Sequence, residues 1–359
     1  MKPTLVIFID ALSYESRKIV LDQIKIFKED IRLIPEIGYS SNQHWSIFAA
    51  KLPDELDYFT DYNLVCDASE ITIGAYLKHN NILNTVLNYI SNKIGKRTSN
   101  VPIGLKKIFV NKSIYPLLDK NNFFSLDSIW RSFELYRINR PEEMEMLGEL
   151  CRQKMSEKSF IVINTLDHAG HMKIPFSNDY NDVLTRIMAK IKGVVDAFLL
   201  QYGESSNVIM LSDHGMTPVN SYIDLVLEKE FGPQCTDSYL YFLDATLCRI
   251  WTFSDQIKKQ LYEYMNKKEY GRIISDEERR YYGIKKRLFG DIIFVLNPGC
   301  IFKPNYFGYG LKREVKGMHG YMPTEKTQHG LFMSNVTKEK KHESERNINV
   351  MSMIRNRLL

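Results

Sequence analysis

Three short apolar runs each end in Asp or His residues, which are side chains that can bind a metal ion or move a proton. Asp10 follows the first run, Asp167 and His171 follow the second, and Asp213 and His214 follow the third. Carboxylate oxygens and imidazole nitrogens together suit Zn²⁺ and related divalent ions. Because ligand sites of open α/β sheets form beyond the carboxyl ends of the strands, we expect these side chains to converge.

The spacing of these residues favours metal binding over scattered surface positions. Asp167 and His171 are four residues apart on a predicted strand-to-helix turn, so both could reach one ion. A further segment contains His319 between Gly317 and Gly320, and its flexible backbone suits a ligand loop. A single Asp–His pair is usually structural, and it is the combination of segments that indicates a metal site.

A serine pair, Ser40 and Ser41, is the candidate nucleophile. It follows a predicted strand over 31–34 and opens a predicted helix, where backbone amides attract an anion. Either serine could equally be a plain helix N-cap. Only the surrounding metal ligands favour a catalytic role, and the residues alone leave Ser40 and Ser41 as alternatives.

The elements that must position these residues form an alternating pattern of strands and helices. Wholly apolar, β-branched runs indicate strands buried on both faces, as in a parallel sheet, and amphipathic stretches between them indicate covering helices. The predicted strands are 4–9, 160–163, 207–211 and 292–296, and the predicted helices are 13–28, 142–156 and 181–202.

We therefore predict a single α/β catalytic domain over 1–359, with a mostly parallel sheet, helices on both faces and two insertions. Residues 60–140 are interpreted as a cap-like insertion, because they mix polar turns with helical patterns between two core strands. Residues 220–315 are aromatic-rich and are interpreted as a second insertion or subdomain.

Composition excludes some classes of protein. A net charge of +5 over 359 residues gives no strong nucleic-acid signal, although it suits an anionic substrate. No stretch approaches the ~20 apolar residues of a membrane helix, and the five scattered cysteines indicate a reduced, cytoplasmic setting. Nothing in the sequence sets the oligomeric state.

Taken in order, the motifs resemble those of the alkaline phosphatase superfamily, and most closely its type I phosphodiesterase/nucleotide pyrophosphatase branch. The motifs extend over most of the chain, and each is modest by itself. They are Asp10, Gly38-Tyr39-Ser40-Ser41, Asp167-x-x-x-His171, Asp213-His214-Gly215 and Gly317-x-His319-Gly320-Tyr321.

The resemblance implies a residue-by-residue assignment of roles. Asp167, His171 and His319 would hold one divalent ion, and Asp10, Asp213 and His214 would hold a second. Ser40 would be the nucleophile and touch the metals, because it lies six residues before Ser46 of the family's Ser-Ile turn, with Ser41 as the alternative. Zn²⁺ is the favoured ion and Mn²⁺ the alternative. Contacts with the substrate phosphate would come from Ser41, Asn42 and Gln43.

The resemblance implies hydrolysis of a small-molecule phosphodiester or a nucleotide-linked pyrophosphate through a phosphoserine intermediate. Alternatives are a phosphomonoesterase, phosphonate hydrolase or phosphomutase of the same superfamily, or a binding protein with a degenerate site. A sulfatase is rejected because Ser40 and Ser41 lack the Pro and Arg of the sulfatase motif. The chain departs from the family at Ala49-Ala50, where Thr-Gly is usual, but no metal ligand is missing.

Overall fold

The computed structural model describes residues 2–60, 62–64, 109–111, 127–137, 140–235, 237–303, 305, 314–337 and 343–358. Most of the predicted cap-like insertion over 60–140 lies outside the described residues. The strands are β1 (Thr4–Ile9), β2 (Glu29–Ile34), β3 (Tyr62–Leu64), β4 (Phe109–Asn111), β5 (Glu134–Tyr136), β6 (Lys158–Ile163), β7 (Asn207–Leu211), β8 (Thr217–Pro218), β9 (Ser221–Ile223), β10 (Tyr239–Leu243), β11 (Leu247–Thr252), β12 (Gly271–Ile273), β13 (Ile292–Leu296), β14 (Cys300–Phe302), β15 (Gly317–Met318), β16 (Gly330–Ser334) and β17 (Ser344–Arg346). The α-helices are α1 (Arg17–Gln23), α2 (Ser40–Ala49), α3 (Pro53–Leu56), α4 (Glu143–Leu150), α5 (Thr165–Met172), α6 (Asn178–Tyr202), α7 (Glu228–Phe231), α8 (Asp255–Asn266), α9 (Asp276–Tyr281) and α10 (Val350–Leu358).

The main sheet has seven strands in the order β17-β2-β16-β7-β1-β6-β5. Strands β5, β6, β1 and β7 are parallel neighbours, and β17 is parallel to β2. Among the described strands of this sheet, only β16 runs against its neighbours, between β2 and β7. The predicted α/β fold with a mostly parallel sheet is therefore confirmed.

Two hydrophobic cores cover the two faces of this sheet because successive side chains of a strand point to opposite faces. Leu5, Ile7 and Ile9 of β1 belong to the core shared with α1, α4 and α6. Val6 and Phe8 belong to the core shared with α2 and α10. A strand buried on both faces needs no polar alternation, which explains its continuous apolar sequence.

A second sheet of four antiparallel strands has the order β10-β11-β13-β12. Ile292–Leu296 lies here, so the expectation that it continues the parallel core is wrong. The side chains of this strand are divided between two further hydrophobic clusters, so both of its faces are buried. A continuous apolar run therefore indicates burial on both faces and does not indicate the direction of the strand. All four strands lie inside the predicted insertion over 220–315. That this segment forms a separate subdomain stays a prediction.

Within the described ranges, no helix is long and apolar enough to cross a bilayer. The cysteines described there, at positions 151, 235, 248 and 300, form no disulfide.

Candidate active site

The carboxyl ends of three adjacent parallel strands bring the predicted ligands together. Strand β1 lies between β7 and β6, with Ile9 level with Ile163. Asp10 follows β1 directly, α5 begins two residues after β6, and Asp213 follows β7 after one intervening serine. The predicted convergence thus has a simple origin in the order of the strands.

Backbone amides fix the orientation of the Asp213 carboxylate. Its Oδ1 accepts hydrogen bonds from the backbone N–H groups of Ala11, at 3.2 Å, and His214, at 3.0 Å. Ala11 has a φ of +62°, a strained conformation for a residue with a side chain, and such strain is typical of functional sites. Asp213 Oδ2 has no hydrogen-bond partner among the described residues and lies 3.4 Å from His44 Nε2 and from His214 Nε2.

Helix α5 presents Asp167 and His171 on one face, one turn apart. His171 Nδ1 lies 2.9 Å from the carbonyl oxygen of Gly317, and a carbonyl only accepts, so Nδ1 carries the proton. In the neutral ring, the lone pair of His171 Nε2 faces Asp167 Oδ1 at 3.2 Å. Two electron-rich atoms at that distance need a proton or a cation between them.

The start of α5 is held by a buried carboxylate. Glu143 is fully buried and accepts hydrogen bonds from the backbone N–H groups of Asn164 and Thr165 and from both of their side chains. Negative charge at a helix N-terminus is stabilising, because the first amides have no partner within the helix. Glu143 therefore anchors the helix that carries two predicted ligands.

His214 and His319 complete the group of nitrogen donors. His214 Nδ1 lies 2.8 Å from the carbonyl oxygen of Gly215, so Nδ1 carries a proton and, in the neutral ring, Nε2 carries the lone pair. That Nε2 lies 3.6 Å from Asp10 Oδ1, and the His214 and His319 rings stack with centroids 3.8 Å apart. His319 Nε2 lies 3.8 Å from Asp167 Oδ1.

Ser40 is the first residue of α2 and lies at this cluster. Its Oγ is 2.9 Å from His214 Nε2, and with a neutral His214 ring the serine hydroxyl donates to that nitrogen. Gly38 has a φ of +122°, and a Cβ there would lie 2.4 Å from Asn42 Oδ1, so the turn before α2 requires glycine. The hydroxyl of Ser41 is buried without a hydrogen-bond partner in the described part of the chain.

The two amide side chains predicted to contact substrate are partly engaged in the protein itself. Asn42 Nδ2 donates to the carbonyl oxygen of Ile37 at 2.9 Å. Gln43 Nε2 donates to the carbonyl oxygen of Glu36 at 2.6 Å, and Gln43 Oε1 accepts from Glu36 N and from Asn347 Nδ2. Gln43 therefore ties α2 to the preceding turn and to the C-terminal segment.

Burial gives the site unusual electrostatics. Burial raises the pKa of Asp10 well above its usual value, and the neighbouring carboxylates of Asp213 and Asp167 raise it further. Burial alone would also raise the pKa values of Asp167 and Asp213, but the adjacent histidines hold both below their usual range. Burial, reinforced by His214, lowers the pKa of His319 well below its usual value.

The donor set fits divalent cations. Two groups of three side chains have ligand atoms within 4.8 Å of one another: Asp167 with His214 and His319, and Asp10 with His44 and Asp213. In each carboxylate one buried oxygen lacks a hydrogen-bond partner among the described residues: Asp10 Oδ1, Asp167 Oδ1 and Asp213 Oδ2. Buried oxygens of this kind are stabilised by a metal ion.

The structure brings all six predicted ligands together with Ser40, but it groups them differently from the sequence-based assignment. His214 lies between the two groups, and how the six divide between two ions stays a prediction. His44 is a member that the sequence reasoning missed. Its signal is the spacing from Ser40, since residues four apart in a helix share a face.

Residues 140–322, just over half of the chain, match the sequence model of the family described as type I phosphodiesterase / nucleotide pyrophosphatase. The chain belongs to this family. The matched segment contains Asp167, His171, Asp213, His214 and His319. Membership makes the chain a hydrolase of the phosphodiesterase type, and the family's dependence on metal agrees with the two groups of candidate ligands. A comparison with curated protein sequences finds no match.

Solved structures of ectonucleotide pyrophosphatase/phosphodiesterase 5 share this family's fold. The murine protein matches with a TM-score of 0.66 and 12% identity, over 99% of this chain and 94% of that chain. An inactive form of the murine protein in complex with AMP matches with a TM-score of 0.66 and 12% identity, over 100% and 95%. The human protein matches with a TM-score of 0.62 and 12% identity, over 99% and 94%. At this identity the likeness shows the alkaline-phosphatase-like fold alone.

Proposed function

We propose that this chain is a two-metal phosphodiesterase that uses Ser40 as its nucleophile. The observation that carries the proposal is the set of two buried carboxylates, one half-buried carboxylate and several imidazoles gathered around one serine hydroxyl at the start of a helix. Family membership supplies the reaction class, and the geometry supports the residues that perform it.

Two divalent ions would be held by the side chains that meet at the strand ends. We assign Asp167, His171 and His319 to one ion and Asp10, Asp213 and His214 to the other, with Zn²⁺ favoured by the mixed donors and Mn²⁺ as the alternative. When bound, such ions lower the pKa of a serine hydroxyl and stabilise the leaving oxygen of an in-line displacement.

Ser40 performs the covalent step. Its hydroxyl proton passes to solvent, and Oγ forms a bond to phosphorus while the bond from phosphorus to the leaving oxygen breaks and that oxygen takes up a proton from water. The backbone amides at the start of α2 favour the negative charge of the bound phosphate. Water then breaks the ester between Ser40 and phosphorus, which releases a phosphomonoester and restores the serine.

Ser41, Asn42 and Gln43 are proposed to contact the phosphate oxygens. The Ser41 hydroxyl is buried and has no hydrogen-bond partner among the described residues, so a phosphate oxygen would satisfy it. Asn42 and Gln43 each donate one side-chain amide N–H to a backbone carbonyl, which leaves the second N–H to donate to the substrate.

Charge favours a diester over a monoester. Asp10, Asp167, Asp213 and a deprotonated Ser40 carry four negative charges, which balance the four positive charges of two divalent ions. A neutral site suits a singly charged phosphodiester more than a doubly charged monoester. Because a murine relative in fold has been seen with AMP, a nucleotide-linked phosphodiester or pyrophosphate is the proposed substrate class.

A covalent trap tests the mechanism. The protein is mixed with a phosphodiester, quenched in acid within milliseconds and digested with a protease. The peptide that contains residues 40 and 41 is then analysed by tandem mass spectrometry. We expect the added phosphoryl ester on Ser40, retained in Ser41→Ala and absent in Ser40→Ala. An adduct on Ser41, or turnover without any adduct, would contradict the assignment of Ser40.

A further inference from the structure

The turn between β10 and β11 of the second sheet connects the segment that carries the proposed nucleophile with the loop that carries His319. Thr246 lies in this turn and is fully buried. It contacts Tyr39, which precedes Ser40, and Gly320, which follows His319. One residue of the second sheet therefore touches both of the segments that must be held in register for catalysis.

The direction of each hydrogen bond in this contact follows from counting protons. Thr246 Oγ1 lies 2.7 Å from the carbonyl oxygen of Gly320, which can only accept, so the threonine hydroxyl spends its one proton there. Tyr39 Oη, 3.0 Å from Thr246 Oγ1, must then donate to it. Tyr39 Oη in turn accepts from the backbone N–H of Thr246 at 2.9 Å. Two hydrogen bonds thus join Tyr39 to Thr246, and a third joins Thr246 to Gly320.

Close packing restricts movement of the contact among Tyr39, Thr246 and Gly320. Gly320 has a φ of +90°, and a Cβ there would lie 2.7 Å from Tyr39 Cε1 and 2.9 Å from Thr246 Oγ1. On its other side, Gly320 donates its backbone N–H to Gln328 Oε1 at 2.8 Å. The Tyr39 ring meets the His319 ring edge to face, with centroids 5.8 Å apart. The loop that carries His319 therefore has little freedom to move relative to the start of α2.

We propose that Thr246 is a positioning residue that sets the distance between Ser40 and the ion held by His319. This inference rests on the proposed two-metal function. It gives the second sheet a role in assembling the site in addition to covering it. Partners behind a metal ligand commonly alter metal affinity or activity by about 10- to 100-fold when they are removed.

The test compares Thr246→Val with Thr246→Ser and with Thr252→Val as a matched control. Thr252 is a buried threonine of the same sheet whose hydroxyl contacts Asp291. Zinc affinity is measured by competition with a chromogenic chelator, and kcat and KM are measured with bis-p-nitrophenyl phosphate. For Thr246→Val we expect a loss of about 10- to 100-fold in zinc affinity or kcat, with little change in KM. Thr246→Ser and Thr252→Val should remain near wild type.

If Thr246→Val fails to fold, Tyr39→Phe removes the donor to Thr246 from the opposite side, and it should give the same loss. If both variants fold, their combined effect should be less than the product of the two, because they break one network. Equal zinc affinity and equal kcat in Thr246→Val and Thr252→Val would overturn the inference.

A wild-type protein that binds zinc but cleaves no diester would reject the proposed function, and the zinc competition would still decide the role of Thr246. A wild-type protein that binds no zinc or manganese would overturn both.

Discussion

Ser40 is the single side chain on which the proposed reaction depends most. Replacing it with alanine removes the atom that attacks phosphorus but leaves every proposed Asp and His ligand in place. We expect Ser40→Ala to reduce turnover by about a thousandfold or more. Its metal content, measured by inductively coupled plasma mass spectrometry, should stay at about two ions per chain. Full activity in Ser40→Ala, with Ser41→Ala inactive, would transfer the role to Ser41.

Asp213 is held by two backbone amides through Oδ1, and its Oδ2 faces two imidazoles. Asp213→Asn keeps the shape of the side chain but replaces a charged oxygen donor with a neutral amide. We expect this variant to lose one of the two ions and nearly all activity, as measured by metal analysis and diester hydrolysis. An unchanged metal count would contradict the ligand assignment.

Single residues were predictable where chain geometry forces them together. Asp10 and Asp213 could be named because each follows an apolar strand, and neighbouring parallel strands end at the same edge. His44 was missed because the sequence does not show which face of α2 meets the strand ends, although the spacing of His44 from Ser40 carried the signal. The division of ligands between two ions depends on side-chain rotamers, which spacing in the sequence does not encode.

At the scale of elements, α5 depends on a carboxylate from α4. Glu143→Ala would leave the backbone amides of Asn164 and Thr165, which are half-buried, without their acceptor. We expect a loss of about 1–3 kcal/mol in the free energy of unfolding, measured by urea denaturation of the metal-free protein. Because α5 carries Asp167 and His171, zinc affinity should fall as well.

Glu145→Ala is the matched control, since Glu145 lies on the same helix and is exposed. It should change the free energy of unfolding by no more than about 0.5 kcal/mol. Equal stability of the two variants would show that Glu143 does not anchor α5.

Elements differ in how well their sequence predicts them. Thr4–Ile9 and Asn207–Leu211 were predicted with the observed bounds, because a strand buried on both faces has a continuous apolar sequence. Ile292–Leu296 has the same continuous apolar sequence but pairs antiparallel with β11. The apolar pattern indicates burial and does not specify strand direction. The antiparallel strand Gly330–Ser334 escaped prediction because its apolar run has only three residues, Leu331 to Met333, and no β-branched side chain.

At the scale of the whole molecule, the site concentrates like charges at the junction of the main sheet with α2 and α5. Removing metal ions should therefore destabilise the entire fold, since bound ions offset the repulsion among Asp10, Asp167 and Asp213. Ligand at a hundredfold excess over Kd stabilises a protein by about 2.7 kcal/mol per site. We expect EDTA to lower the thermal unfolding temperature, and added Zn²⁺ or Mn²⁺ to restore it. An unfolding temperature that stays constant while metal analysis shows complete removal would contradict a metal site in the core.

The most direct test of the account is the metal-dependent hydrolysis of bis-p-nitrophenyl phosphate, a diester, compared with p-nitrophenyl phosphate, a monoester. Both rates are measured on EDTA-treated protein and after addition of Zn²⁺ or Mn²⁺, with Ser40→Ala as the control for contaminating activity. The two-metal mechanism predicts no turnover without metal, and a higher kcat/KM for the diester once metal is restored. A preference for the monoester, or equal rates in EDTA and in metal, would contradict a two-metal phosphodiesterase.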